Sequence, residues 1–346
     1  MPNAGDTSRL DALRDWASTR HHLRRDARLE LAAGDASFRR YSRLWLDDSR
    51  TRILMDAPPE KENSQPFVAI AEAWRNAGLP VPAVYATHLA AGFIELEDLG
   101  DTPLHLSLGE CQGAASLAWH ERALGLIETL QNRAPRDTLP VYDSSLLARE
   151  LDLFPEWCLE RLLSIAPPAC WQDLHQRLID LALGQPMAAV HRDFDAMNLM
   201  LHDDRLWLID FQDAVHGPIT YDPISLLRGR YCRFPRERYA AWLEAFRRQA
   251  IADGRLKANV DSDEFLHMAD TMAAQRALKV LGIFCRLTLR DDKAGYLARL
   301  PHFLNHLRDS LAPWEEFDEF LGWLDTAFAP ALERELARRG ISGEGA

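Results

Sequence analysis

The sequence predicts an α+β protein built as two lobes, a small lobe rich in strands followed by a larger lobe that is mostly helical. Three observations lead to this prediction. The chain has 346 residues, which is enough for about two domains of ordinary size. Short runs of alternating apolar residues dominate up to about residue 98, and long stretches with apolar residues at helical spacing follow. Between residues 187 and 211, short apolar runs interrupt the helical pattern and indicate two strands of a hairpin.

The small lobe is predicted to span residues 1–98. Apolar spacing predicts two helices there, and alternation predicts three strands, the first two joined by a polar turn at 47–50. The helices are expected over 8–23 and 67–77, and the strands over 38–46, 52–56 and 93–97.

The large lobe is predicted to span residues 99–346. Six stretches carry apolar residues at three- and four-residue steps, as amphipathic helices do. These helices are expected over 114–132, 144–163, 171–183, 235–252, 263–289 and 321–339.

Composition and charge exclude several classes of protein. Apolar residues make up 47% of the chain and charged residues 27%, which is ordinary for a globular protein. No apolar run approaches the ~20 residues that span a bilayer, and the net charge of −12 argues against nucleic acid or an anionic membrane as the main partner. The five cysteines are scattered, which is typical of free thiols in a reducing compartment. We expect a cytoplasmic monomer that binds neither nucleic acid nor membranes.

The most informative stretch runs from residue 190 to 198 and fits the pattern H-x-D-x-x-x-x-N, with an apolar strand ending in Asp210 after it. Phosphoryl transfer needs a carboxylate that orients the attacking hydroxyl and accepts its proton. It also needs oxygen ligands that hold Mg²⁺ against the phosphates. Asp193 fits the first role, and Asn198 and Asp210 fit the second. The alternative is that these side chains only cap loops and end a strand.

Further segments extend the pattern from about residue 34 to 290. They are GDASFRRY at 34–41, MDAPP at 55–59, EN at 62–63, EDLG at 97–100, DFQ at 210–212, YDP at 221–223 and LKVLGIF at 278–284. With these segments, the chain resembles the aminoglycoside-phosphotransferase and choline-kinase-like branch of the protein-kinase fold. Within that branch, DASFRRY and MDAPP resemble the anomeric N-acetylmuramate/N-acetylglucosamine kinases of bacterial cell-wall recycling.

The resemblance implies a bilobal protein-kinase-like fold with ATP and Mg²⁺ as cofactors. It implies that residues 34–40 form the turn that covers the ATP phosphates, although an ordinary hairpin turn is the alternative. The residues expected at the nucleotide in this turn are Asp35, Ala36, Ser37, Phe38 and Arg40.

The resemblance also assigns the segment 97–100 to the hinge, where backbone groups of Glu97 and Leu99 would meet adenine. It implies that His191 packs the catalytic loop. Asp222 would hold that loop, and a plain helix cap is the alternative.

One departure from the family concerns the cation that positions the phosphates. Kinases carry a strand lysine paired with a glutamate, but the strand at 52–56 has no lysine. Glu62 could be the glutamate, and Arg39, Arg40 or Arg52 could supply the cation, with Arg40 favoured. The missing lysine keeps open the alternative of a pseudokinase that binds nucleotide without turning it over.

The acceptor site is less defined. Arg276, Lys279 and Arg286 recur on one face of the helix predicted over 263–289, and a solvated basic face is the favoured interpretation. The functional alternative is that Arg276 or Lys279 meets the carboxylate of a sugar. Asp195, inside the catalytic loop, is a further candidate substrate residue.

From the resemblance we expect transfer of the γ-phosphate of ATP to the anomeric C1 hydroxyl of N-acetylmuramate and N-acetylglucosamine, in peptidoglycan recycling. A kinase of another small acceptor, of the aminoglycoside or choline type, shares the same motifs. It would usually present an acidic cluster to a cationic substrate.

Overall fold

A computed structural model describes residues 4–24, 27–34 and 38–341. These residues fall into two compact units. The first comprises the described part of Met1–Leu106 with Arg133–Pro135 and Met197–Asp213, and the second comprises Ser107–Asn132, Arg136–Ala196 and the described part of Ala214–Ala346. The predicted α+β class is confirmed, and the lobe boundary at residue 98 stays a prediction.

The elements up to residue 96 are five strands and two helices, and helices predominate in the rest of the described chain. Up to residue 96 they are α1 (Ala4–His21), β1 (Leu29–Gly34), β2 (Arg40–Trp45), β3 (Thr51–Asp56), α2 (Gln65–Asn76), β4 (Val84–His88) and β5 (Phe93–Leu96). A 3₁₀ turn (Leu104–Ser107) is followed by α3 (Ala114–Arg133), α4 (Ser144–Leu151), a π-helical segment (Phe154–Leu163), α5 (Trp171–Leu183), β6 (Met187–Val190), β7 (Leu199–His202), β8 (Arg205–Leu208), β9 (Val215–Pro218) and α6 (Tyr221–Leu227). The chain continues with α7 (Arg236–Ala252), α8 (Ser262–Leu289), α9 (Leu300–Leu311), α10 (Asp318–Trp323), a second π-helical segment (Leu324–Phe328) and α11 (Ala329–Arg338), with 3₁₀ turns at Leu297–Arg299 and Glu315–Phe317.

The first unit is built on an antiparallel sheet with the strand order β1-β2-β3-β5-β4. In its centre, Met55 of β3 lies between Tyr41 of β2 and Ile94 of β5. The sequence did not predict β1 and β4, which form the two edges. Edge strands bury less apolar surface, and Leu31 of β1 and Tyr85 of β4 are exposed, so their apolar alternation is weak.

Two helices cover this sheet. Leu13 and Ala17 of α1 pack with the buried sheet residues Leu44, Leu54 and Phe93. On α2, the apolar positions recur at helical spacing and are buried, namely Phe67, Ile70, Ala71 and Trp74. The small-lobe helices and strands that the sequence predicted are therefore present, with ends that differ by a few residues.

The strands β7 and β8 form the predicted hairpin, in the first unit. Leu199 pairs with Leu208, and His202 pairs with Arg205. The two turn residues Asp203 and Asp204 have φ values of 49° and 56°, as a type I′ turn requires. Aspartate tolerates this left-handed conformation better than most residues, which explains the pair at the tip.

The second unit is organised around the long helix α8. Gly282 allows this helix to approach the backbone of Leu153, because a Cβ atom at residue 282 would lie 2.4 Å from the carbonyl carbon of Leu153. The helix predicted over 144–163 is two segments, since Pro155 has no N–H to continue the ladder of α4. The sequence did not predict α9, whereas α6 begins where Asp222 was expected at the start of a helix.

The five cysteines are free, as predicted, and three of them are buried. Within the described ranges, no helix combines the length and the apolar content that a membrane crossing requires.

Candidate active site

The β7–β8 hairpin brings the two predicted metal ligands together. Asn198 precedes β7 and Asp210 follows β8, and the N–H of Ile209 donates to the carbonyl oxygen of Asn198 at 3.1 Å. Both side chains line one cavity. The Asp210 carboxylate also accepts a hydrogen bond from Gln212 Nε2 at 2.7 Å. A hairpin with a two-residue turn thus brings two oxygen-bearing residues, twelve positions apart in the sequence, to the wall of one cavity.

Backbone strain marks the end of this hairpin. Asp210 has a φ of 63°, a conformation that costs energy for a residue with a side chain. The ring of the next residue, Phe211, is fully buried, stacks on Phe67 at 5.0 Å and lies 5.7 Å from Trp74. The packed Phe211 therefore holds the strained Asp210 in place from the side of α2.

The cavity lies in the first unit and has a volume of about 400 Å³. One part of its wall is apolar and the other carries polar and charged groups. The apolar part includes Ala32, Ile53, Phe67, Pro82, Leu96, Pro103, Met197, Met200, Ile209 and Phe211. Tyr41, Arg43, Glu97, Leu99, Gly100, Asp101, Asn198 and Asp210 complete the lining. A cavity that combines apolar side chains with oxygen-bearing ones has the features that a nucleotide and its metal ion need.

Both predicted hinge residues, Glu97 and Leu99, line this cavity. The Glu97 carboxylate accepts a hydrogen bond from the N–H of Ala83 at 3.0 Å and pairs with Arg75 at 3.3 Å. Its side chain therefore links the segment to α2 and to Ala83, the residue before β4. The role of the two residues at adenine stays a prediction.

Arg43 ties β2 to the same segment through two carboxylates. It contacts Asp98 at 2.5 Å and Asp101 at 2.8 Å. Burial would raise the pKa of Asp98, but the hydrogen bonds, first among them that from Arg43, outweigh burial and lower it. The same carboxylates raise the pKa of Arg43. These contacts fix one edge of the cavity.

The cation beside Glu62 is Arg39, where the sequence favoured Arg40. Arg39 is 8% exposed, and its guanidinium lies 3.2 Å from Glu62 Oε2 and 3.9 Å from Asp210 Oδ1. Glu62 belongs to the loop between β3 and α2 and also accepts from the N–H of Phe38 at 3.3 Å. Arg39 thus lies between Glu62 and Asp210, the predicted metal ligand, and pairs with the glutamate as the strand lysine of kinases does.

Only some of the other residues of the predicted phosphate turn lie within the described part of the chain. Asp35, Ala36 and Ser37 lie outside the described residues. Phe38 is exposed, and Arg40 begins β2 with an exposed side chain. The segment begins at Gly34, the last residue of β1, and ends at Arg40, the first residue of β2. Its contacts with a nucleotide stay predictions.

The first part of the predicted catalytic loop, up to Ala196, belongs to the second unit and is held by Asp222. The fully buried Asp222 carboxylate accepts hydrogen bonds from the N–H groups of His191 at 2.7 Å and Arg192 at 3.0 Å. Burial raises its pKa to about 7, against the effect of these two bonds. Arg192 has a φ of 76°, so the backbone just before Asp193 is strained as well. Asp222 therefore anchors the loop and does not merely cap α6.

A buried charge network lies behind this loop, centred on Glu150 of α4. Its carboxylate contacts Arg192 at 2.6 Å and Lys279 at 2.9 Å, and it accepts a short hydrogen bond from Tyr142. Burial acts to raise its pKa, but Lys279 and Arg192 outweigh burial and lower it to about 2. The sequence analysis missed Glu150. Its position beside Leu147 and Leu151 on an apolar helix face was the available signal.

The predicted solvated basic face on α8 is wrong for its central residues. Arg276 and Lys279 are 6% and 7% exposed, because α8 is enclosed by neighbouring helices. Lys279 is engaged by Glu150 and by the Tyr221 hydroxyl at 3.0 Å. Asp195, the other candidate substrate residue, is 3% exposed and pairs with Arg230 at 3.1 Å. The substrate roles of Asp195, Arg276 and Lys279 stay predictions.

The donor set fits a magnesium ion that is shared with phosphates. Among the residues that the structure describes, no group of three or more His, Cys, Asp or Glu side chains could hold a metal alone. Asn198 and Asp210 together provide two hard oxygen donors at one cavity. Mg²⁺ is commonly bound by one or two such side chains with substrate phosphates and water.

Comparisons with known proteins point in the same direction. The profile of the group described as "Phosphotransferase enzyme family" matches residues 28–259. The chain is 40% identical over 296 residues to the N-acetylmuramate/N-acetylglucosamine kinase of Pseudomonas putida, covering 84% of this chain and 86% of that protein. It is 38% identical over 301 residues to a kinase of the same name from Neisseria meningitidis, covering 86% and 89%.

Two solved structures share the fold. A Plasmodium vivax ethanolamine kinase superposes with a TM-score of 0.64 at 10% identity, covering 90% of this chain and 91% of that one. An ADP-bound aminoglycoside phosphotransferase, APH(2″)-Ib, gives 0.55 at 13% identity, covering 86% and 98%. The predicted kinase-like fold is confirmed.

Proposed function

Because the chain belongs to the phosphotransferase enzyme family, we propose that it is an ATP-dependent amino-sugar kinase. In this proposal it transfers the γ-phosphate to the anomeric C1 hydroxyl of N-acetylmuramate and N-acetylglucosamine. The names of its relatives support this choice of acceptor. A sugar kinase of this kind would use cytoplasmic ATP and serve peptidoglycan recycling.

The observation that carries the proposal is the cavity of the first unit. Asn198 and Asp210 both line it, together with apolar residues such as Ile53 and Met200. An apolar slot suits adenine, and paired oxygen donors suit the metal that accompanies the phosphates. Neither feature is required by a loop that merely ends a strand.

Each side chain then has a defined task. Asn198 and Asp210 would hold Mg²⁺, which when bound neutralises phosphate charge during transfer. Arg39, kept in place by Glu62, would supply a fixed positive charge to the phosphates. Asp193 would orient the acceptor hydroxyl and take its proton.

The hydrogen bonds of the backbone around Asp193 support this role. Asp222 binds the two N–H groups that precede Asp193, and the Asp193 carbonyl accepts from the N–H of Asp195 at 2.9 Å. A backbone held on both sides of Asp193 restricts the positions that its side chain can take. Such preorganisation is what positions reactants for transfer.

The test is to incubate the protein with Mg·ATP and, separately, with N-acetylmuramate, N-acetylglucosamine, kanamycin and choline. We expect a sugar 1-phosphate, located by ³¹P NMR through coupling to the anomeric proton. Asp193→Asn should lower turnover by about 10²- to 10⁴-fold while ATP binding, followed by thermal shift, persists. Asp203→Asn is the matched control, because residue 203 is exposed at the hairpin tip and asparagine tolerates its positive φ.

The outcomes separate the alternatives. Phosphorylation of kanamycin or choline instead of the sugars would favour the other kinase class. Nucleotide binding without transfer to any acceptor would identify a pseudokinase. An Asp193→Asn variant within a few-fold of wild type would remove Asp193 from the role of base.

A further inference from the structure

Arg276 is a buried cation without a protein counter-charge in contact. It is 6% exposed, yet it makes no hydrogen bond or ion pair with any residue in the described part of the chain. Some buried polar atoms of the protein are sealed from solvent and have no hydrogen-bond partner, and the guanidinium nitrogens of Arg276 are not among them. The group therefore keeps a narrow opening to solvent. A buried guanidinium of this kind is costly unless something binds to it.

Its neighbours place it beside the catalytic loop of the second unit. Arg276 lies one helical turn before Lys279 on α8, and its charge acts to lower the pKa of Asp222. Asp222 in turn binds the two backbone N–H groups that precede Asp193. The charge of Asp193 acts on both Asp222 and Lys279. Arg276 thus belongs to the same cluster as the proposed base.

The two neighbouring cations already have a carboxylate partner, and they leave the positive charge of Arg276 uncompensated. Lys279 and Arg192 both pair with Glu150 and share its single carboxylate. Arg276 has no such pair in the described part of the chain, so its guanidinium is left to bind an anionic group of the acceptor. This guanidinium would attract an anionic group of the acceptor and repel a cationic one.

We infer that Arg276 binds the carboxylate of the acceptor and makes the enzyme favour acidic amino sugars over neutral ones. This inference rests on the proposed function and names the substrate class within it. The planar guanidinium can donate two parallel hydrogen bonds to a carboxylate. The lactyl ether of N-acetylmuramate carries such a group, and N-acetylglucosamine does not.

The first experiment compares kcat/KM for N-acetylmuramate, its methyl ester and N-acetylglucosamine in the wild type. The ester keeps the shape of the acid but removes its charge, so kcat/KM should fall about 10- to 100-fold from acid to ester, the range for a charge-assisted hydrogen bond. Equal use of acid and ester would overturn the inference without any variant. Failure to phosphorylate either free sugar would overturn the proposed function as well.

The second experiment uses Arg276→Gln and Arg276→Lys. The ratio of kcat/KM for the acid to kcat/KM for the ester should fall toward one in Arg276→Gln. It should take an intermediate value in Arg276→Lys, because lysine keeps the positive charge but not the planar pair of donors. Arg286→Gln, ten residues along the same helix and half-buried, is the matched control and should keep the wild-type ratio. An equal fall for all three substrates would mean that Arg276 stabilises the transferred phosphoryl group or the loop, and would overturn the inference.

Discussion

Replacing Glu150 by glutamine should lower the free energy of unfolding by about 3 kcal/mol at pH 7. The magnitude follows from the pKa of Glu150, which lies at about 2 instead of its ordinary 4.5 because Lys279 and Arg192 outweigh burial. Each pKa unit corresponds to ~1.4 kcal/mol. The Glu150 side chain is 5% exposed, so water screens this interaction little. Removing one partner from a buried ion pair typically costs ~3–5 kcal/mol, which agrees with this figure.

The pH dependence of this loss has a defined sign. Between pH 4.5 and about 2, Glu150 is ionised in the folded protein but protonated in the unfolded chain. The unfolded chain then binds more protons, so the stability that Glu150 contributes is complete above pH 4.5 and disappears as the pH falls toward 2. The difference between wild type and Glu150→Gln should shrink over the same range.

Urea denaturation of both proteins at pH 7, 5 and 3 measures this difference. Glu333→Gln on α11 is the control, because Glu333 is exposed, and it should change stability by less than about 0.5 kcal/mol. A Glu150→Gln loss below about 1 kcal/mol, or a loss that stays constant with pH, would show that Glu150 does not hold the two cations as described.

Three further predictions concern packing, nucleotide binding and the catalytic loop. Gly282→Ala should destabilise by about 1–3 kcal/mol in urea, because its Cβ would meet backbone at 2.4 Å, whereas Gly322→Ala, with open space, should not; equal effects would contradict the close approach. Arg39→Met should weaken ATP binding about tenfold or more by titration calorimetry, with Arg39→Lys between it and wild type and the exposed Arg50→Met unchanged; an Arg39→Met affinity within twofold of wild type would exclude the proposed contact. Asp222 has a pKa raised by burial from 3.8 to about 7, so the folded protein binds the extra proton between these values. From pH 4 to 7 the wild type should therefore lose up to about 4 kcal/mol relative to Asp222→Asn, and parallel pH profiles of unfolding would refute this.

The sequence was sufficient for the parts of the site that lie close together along the chain. Asn198 and Asp210 flank one short hairpin, so their spacing and the apolar strands between them predicted that both would reach one place. The sequence could not decide whether Arg39 or Arg40 is the cation beside Glu62. Successive residues near a strand point to opposite faces, so an uncertainty of one residue at the start of β2 exchanges a buried cation for an exposed one.

Burial of charge could not be predicted from periodicity alone. Cations recurring along α8 are typical of a solvated face, and only the helices packed around α8 decide that Arg276 and Lys279 are inside. Glu150 posed the same difficulty. Its partners Arg192 and Lys279 lie 42 and 129 residues away along the chain, and no local pattern connects them.

The pairing of Arg39 with Glu62 has a consequence for chemical labelling. An electrophilic ATP analogue needs a free amine near its phosphates to form a stable bond, and a guanidinium stays protonated and provides none. The lining of the described cavity includes no lysine. Such analogues should bind here as reversible competitors and leave this cavity unmodified, whereas a dicarbonyl reagent that condenses with arginine should inactivate the protein unless ATP shields it.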